Sequence, residues 1–133
     1  MPPPRNVLIV DDHADIAEAL KAAVEQEGYD VVVARTGVEA LSVLPTVQPC
    51  IILLDLFMPD MDGYEFRQQQ MSDAGIAHIP VVVISAAGLA DEARAVKLGM
   101  RFFRKPVLEF DELVGVIREH CDANGGVPPS WDV

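Results

Sequence analysis

Cysteine is scarce in this chain of 133 residues, which carries just Cys50 and Cys121. Two are too few for a disulfide framework, and they read as thiols filling small apolar spaces in a reducing compartment. No CxxC occurs, and His13, His78 and His120 lie far apart, so no zinc-finger spacing exists. Positive charge is also short: ten Lys and Arg stand against 21 Asp and Glu, a formal net charge of −11. That balance excludes bulk electrostatic coating of nucleic acid or an anionic membrane. The apolar runs are strand-sized and span no bilayer. The start, Met1-Pro2-Pro3-Pro4-Arg5, lacks the apolar stretch of a secretion signal. A GxGxxG or P-loop run is missing too, which leaves a nucleotide- or flavin-binding module without its backbone phosphate cradle. The expectation is a cytoplasmic protein that binds neither nucleic acid nor membrane directly.

Half of the residues are hydrophobic, enough for one domain with a real core. Short β-branched runs alternate with longer stretches of helical spacing. The runs are Val7–Val10, Val31–Ala34, Ile51–Leu54, Pro80–Ile84 and the brief Phe102-Phe103. Between them, Ile16, Leu20, Ala23 and Val24 recur at helical intervals until Gly28. Thr36-Gly37-Val38-Glu39 reads as a capping box whose helix closes at Pro45. A weak helix from about Tyr64 has Phe66 and Met71 as its apolar stripe. Leu89, Ala93, Val96 and Met100 outline the next helix, and Leu113, Val116, Ile117 and Cys121 the last. Strands apolar on both faces and separated by helices predict an α/β fold, a doubly wound five-stranded parallel sheet rather than a barrel. The domain is expected over residues 5–121, with a flexible C-terminal tail over 122–133 that includes Trp131.

Ligands of open α/β sheets bind at the carboxyl ends of the strands. Here those ends carry Asp11-Asp12, Asp55 and Ser85, with Lys105 following the fifth run. Three carboxylates crowded at one edge disfavour joint ionisation unless a cation joins them. A hard divalent ion with oxygen ligands suits that need, and Mg²⁺ keeps an open position for a phosphate oxygen. Lys105 adds a second positive point, and a carboxylate so held can attack phosphorus to give an aspartyl phosphate.

The set Asp11-Asp12, Asp55 with Met58-Pro59 and Asp62-Gly63, Ser85-Ala86 and Lys105-Pro106 resembles the receiver domain of two-component response regulators. The match runs over roughly residues 5 to 121, and its strength lies in five pieces occurring in order. The resemblance implies a flavodoxin-like (βα)5 fold with strand order 2-1-3-4-5, Asp55 as phosphoacceptor and Mg²⁺ as cofactor. It implies that Asp12 ligates the ion directly, Asp11 mainly through water, and that Asp55 and the Phe57 backbone carbonyl complete the set. Ser85 and Lys105 would contact the phosphoryl group, and Ser85 and Phe102 would form the switch. The implied partners are a sensor histidine kinase or histidine phosphotransfer protein and a downstream protein target. Phe57 and Ala87 stand where the family flanks the approach of hydrolytic water, which implies slow loss of phosphate.

Departures from the family pattern are a loop one residue short between Gly99 and Lys105, and Gln70 and Cys50 at places where apolar and acidic residues are frequent. Asp11 and Asp12 alone could cap a helix, and Lys105 alone could be a solvated lysine. His13 is expected to face solvent in a first helical turn. A competing class is a phosphatase or phosphomutase of the haloacid dehalogenase type, which also forms an aspartyl phosphate. That family wants a second Asp two residues after the nucleophile, where this chain has Phe57. With few residues after the last helix, a stand-alone regulator is expected rather than a domain cut from a hybrid kinase. Such a module catalyses just its own phosphorylation and dephosphorylation.

Overall fold

Five parallel strands form one sheet in a computed structural model that describes residues 6–122. The strands are β1 (Asn6–Val10), β2 (Asp30–Ala34), β3 (Ile51–Leu54), β4 (Val81–Ser85) and β5 (Arg101–Arg104). The helices are α1 (Ala14–Gln26), α2 (Gly37–Val47), α3 (Gly63–Met71), α4 (Leu89–Lys97) and α5 (Phe110–Cys121). The order β2-β1-β3-β4-β5 is the one expected. Among the described residues no helix is long and apolar enough to cross a membrane. The expected tail beyond Asp122, Trp131 included, lies outside the described residues.

Alternation along the strands divides the core in two. Leu8, Val10, Ile52, Leu54, Val81 and Val83 face Leu44 and Phe66 of α2 and α3. Val7, Ile9, Ile51, Leu53, Val82 and Ile84 face Leu113, Val116 and Ile117 of α5 and Val24 of α1. Burial on both faces is why these strands read as unbroken apolar runs. The two phenylalanines of β5 divide in the same way, Phe103 buried on the α5 side and Phe102 partly buried on the other.

Several local expectations change. Helix α2 does not close at Pro45 but carries it inside and runs to Val47, capped by Gln48 at φ 49. Pro45 has no N–H to offer Leu41 O, so the helix runs on without that bond, and Gln48 N–H reaches Leu44 O at 2.9 Å to close the last turn. In α3 the stripe is completed by Gln70, fully buried, while Met71 is exposed. The Gln70 amide donates to the carbonyls of Ile76 and Ile79, both at 2.9 Å, and its oxygen accepts from Arg67. A buried amide thus satisfies the loop into β4, which an apolar side chain would leave unpaired. The α4 stripe is also different: Ala95 is buried, but Leu89 and Val96 are exposed. Polar contacts hold this helix instead, Tyr64 O–H donating to Asp91 at 2.7 Å and Arg104 pairing with Glu92 at 2.6 Å. The short approach to β5 is absorbed by Gly99, at φ +81, with Met100 N–H returning to Ala95 O.

The cysteines are not thiols. Cys50, just before β3, is bonded to Cys121, the last residue of α5, across 71 positions. The reading of two free thiols is corrected, since the fold brings two distant sulfurs together at the amino edge of the sheet.

Candidate phosphoacceptor site

The carboxyl edge is assembled by backbone ladders. Asp11 N–H bonds Ala34 O at 3.1 Å, Asp55 N–H bonds Val10 O at 2.9 Å, and Lys105 N–H bonds Ser85 O at 3.0 Å. These bonds carry the sheet one residue past its strands, so that Asp11 and Asp55 emerge side by side. The loop after β3 is kept close by Asp62, whose carboxylate caps α3 at Glu65 N–H, 2.8 Å away. Gly63 is needed here for space: a Cβ would lie 2.9 Å from the Asp55 carbonyl oxygen and from the Leu56 Cα.

Asp11 and Asp55 are buried, at 3% and 4% exposure, and Ser85 is fully buried between them and the core. Lys105 Nζ lies 2.6 Å from Asp11 Oδ2 and 3.5 Å from Asp55 Oδ2, a bridge between the two carboxylates. Burial drives the Asp11 carboxyl up, but the Lys105 hydrogen bond and those from His13 outweigh it and hold it below its ordinary value. Asp55 goes the other way. Burial raises it, Lys105 lowers it, the Asp11 charge raises it again, and the net direction is up.

The ring of His13 is half exposed, but it does not simply face solvent as expected. Its Nδ1 sits 3.0 Å from Asp11 Oδ1, 3.2 Å from Asp12 Oδ1 and 3.6 Å from Asp55 Oδ2. As N-cap of α1, His13 has extended backbone that returns its ring over the acid pair. The hydrogen bond to Asp11, with the Asp12 charge, raises the imidazole pKa. Sequence reading missed this contact, and adjacency to Asp11-Asp12 was the available signal.

Asp11, Asp12, His13 and Asp55 form one group whose possible ligand atoms all lie within 4.8 Å of one another. Asp12 Oδ1 is buried and accepts no hydrogen bond, the nearby imidazole making none to it. An orphaned carboxylate oxygen, and an imidazole drawn among three acids, are what a cation-binding donor set looks like, and all-oxygen carboxylates suit a hard divalent ion. Phe57 is exposed in the loop after Asp55, and Ala87 is buried. Asp11, Asp12, Asp55, Ser85 and Lys105 meet at this edge, whereas Phe102 lies back within β5, in register with Val83, with the Arg104 guanidinium over its ring.

Known proteins agree with this geometry. The model of the response regulator receiver domain matches residues 7–118. Response regulator Rre1 of Synechocystis is 32% identical over 120 residues, covering 89% of this chain and 52% of that protein. Protein PilG of Pseudomonas aeruginosa is 30% identical over 116 residues, covering 86% and 85%. The crystal structure of a response regulator receiver protein from Pseudomonas putida superposes with a TM-score of 0.79 at 28% identity, covering 88% and 98%. The chain thus spans about half the length of Rre1, and these matches do not support the haloacid dehalogenase alternative. With the family model spanning most of the sequence and the fold in accord, the chain belongs to the response regulator receiver domains, the phosphorelay modules of two-component signalling.

Proposed function

We propose that Asp55 is the phosphoacceptor, taking a phosphoryl group from a phosphohistidine of a sensor kinase or phosphotransfer protein in the cytoplasm. The observation that carries this reading is the Asp55 carboxylate, buried at the end of β3 with Lys105 Nζ at 3.5 Å and the acid pair beside it. An Asp55 oxygen attacks phosphorus as the histidine nitrogen leaves. Lys105, already set between Asp11 and Asp55, pairs with the incoming phosphoryl oxygens, and the Ser85 hydroxyl donates to another. Asp11, Asp12, Asp55 and the Phe57 carbonyl would hold Mg²⁺. A bound Mg²⁺ supplies the positive charge that offsets the carboxylates and the phosphoryl oxygens.

The output follows from the same contacts. When Ser85 turns to the phosphoryl group, Phe102 moves inward and reshapes the surface of α4, β5 and α5. Leu89, Val96 and Leu98 are exposed on that side, suited to an apolar contact with a downstream protein. Phosphorylation biases a two-state element, because the new hydrogen bonds exist in one state alone. Phosphotransfer from the sensor kinases of the source organism tests the reading. Labelling of the wild type by one kinase, lost in Asp55→Asn, is expected; equal labelling of the variant would show another acceptor.

A further inference from the structure

The Cys50–Cys121 bond lies at the amino edge of the sheet, a full strand length from Asp55, and the phosphorylation chemistry does not use it. From its surroundings we infer that it is a reversible two-electron redox site, opened and closed by exchange with a dithiol or disulfide. It sets whether the end of α5 is covalently pinned to β3.

The backbone suits the bonded state, since the Cα atoms are 5.2 Å apart, inside the range of native bridges. It also suits the open state. Cys50 Sγ lies 3.2 Å from Asn6 O, an acceptor in place for a thiol proton. A disulfide sulfur has no proton to give, so that contact becomes a hydrogen bond on reduction alone. Cys121 lies in the apolar cluster with Leu113, Val116 and Ile117, where a thiol packs as a small apolar group.

Access is one-sided. Cys121 is 2% exposed, whereas Cys50 lines an open groove of about 380 Å³ with Pro49, His78 and His120. An external thiolate therefore attacks Cys50 Sγ. The Cys50–Cys121 bond breaks, a mixed disulfide forms on Cys50, and Cys121 leaves as thiolate and takes a proton from water. The second thiol of the reagent then attacks its own sulfur in the mixed disulfide and releases Cys50, which is protonated in turn. The protein gains two electrons and two protons, and the dithiol becomes a disulfide.

Opening the bond does not release the helix altogether. Arg118 still pairs with Glu27 at 3.1 Å, Tyr29 O–H still donates to Asp122 at 2.9 Å, and the buried face of α5 is unchanged. The consequence is local: the last turn of α5 opens more often in the reduced protein. Asp55 is at the far end of β3, so its phosphorylation rate is the same in both states.

The full chain, equilibrated without denaturant in graded ratios of reduced and oxidised dithiothreitol, then alkylated and weighed intact, tests the exchange. Zero and two alkyl groups, interconverting reversibly, are expected. Two groups at the oxidising end would show that no bond forms, and none at the reducing end would show that Cys50 is closed to exchange. Either would overturn the inference. Hydrogen exchange tests the consequence. Amides of Ile117 to Cys121 are expected to exchange about tenfold faster in the reduced protein, with a smaller change in α2. Equal rates in the two states would overturn it. Cys121→Ser should match the reduced wild type, and if that variant fails to fold, the wild-type pair decides alone. Phosphorylation from a small phosphodonor, run on both states, keeps this outcome separate from the assignment of Asp55.

Discussion

Removing the charge of Asp55 should make the metal-free protein more stable, although it deletes a partner of Lys105. The Asp55 ligand oxygen lies within 4.8 Å of one from Asp11 and one from Asp12. At an effective dielectric of about 20, each such pair repels by about 3.5 kcal/mol. Lys105 Nζ at 3.5 Å returns about 4.7 kcal/mol on the same scale, and the half-exposed His13 ring, 3.6 Å from Asp55 Oδ2, returns a smaller, solvent-screened part. Solvent screening of the part-exposed Asp12 trims the repulsion, and the cost of burying Asp55 adds to it. Asp55→Asn is then worth about 1–2 kcal/mol in metal-free buffer at neutral pH, about 3–8 °C in Tm for a domain of this size. Because the folded-state pKa of Asp55 lies above the ordinary 3.8, the unfolded chain releases its proton first as pH rises. Stability of the wild type therefore falls as pH climbs from 3.8 through that raised value, and the advantage of Asn opens across the same window. Well below it both side chains are neutral and the gap closes. Saturating Mg²⁺ shrinks or reverses the gap, because the native wild type gains binding energy that the variant lacks. Thermal denaturation of both proteins, with and without chelator, at several pH values, measures all of this. An Asp55→Asn variant no more stable than wild type in metal-free neutral buffer would refute the account of the acid cluster.

Lys105→Met should destabilise the protein by about 3 kcal/mol at neutral pH, since it leaves the buried Asp11 carboxylate without its ammonium partner and with the His13 contacts alone. Asp11 is held below 3.8, so this contribution is present above that value and is lost as pH falls through the folded-state pKa; denaturant melts across pH should show the gap closing in acid. Gln70→Leu should cost about 2–4 kcal/mol by leaving the Ile76 and Ile79 carbonyls without a donor, and a urea midpoint near wild type would refute that role. Phe57→Asn should speed loss of phosphate several-fold by giving the attacking water a polar contact. The ring it replaces is 54% exposed, whereas Ala87 is buried and a Glu there would put charge into the core, so the single variant is the clean test. Decay of the phosphorylated form in excess Mg²⁺ at the wild-type rate would show that Phe57 does not gate the water.

The sheet was legible because its signal is repeated five times: doubly buried β-branched runs, each followed by a polar residue at the carboxyl edge. The sequence alone places Asp11, Asp55, Ser85 and Lys105 together, since parallel strands put like ends on one side. What escaped depended on partners distant in sequence. The stripe of Leu89 and Val96 has the right period, yet the clamps from Tyr64 and Arg104 hold α4 with those side chains outside. Gln70 looked like a flaw in a helix until the carbonyls of Ile76 and Ile79 supplied its partners. Cys50 and Cys121 meet through the return of α5 to the start of β3, which no spacing announces. The ring of His13 turns on the extended cap conformation of its own backbone, which residue type alone does not announce.

The central claim is that Asp55 receives the phosphoryl group. Wild-type protein incubated with Mg²⁺ and a small phosphodonor, then reduced with borohydride, converts an aspartyl phosphate to homoserine at the acceptor. Peptide mass spectrometry should find that conversion at Asp55, dependent on Mg²⁺ and absent from Asp55→Asn. Conversion at any other carboxylate, or none at all in the presence of donor and Mg²⁺, would contradict the account.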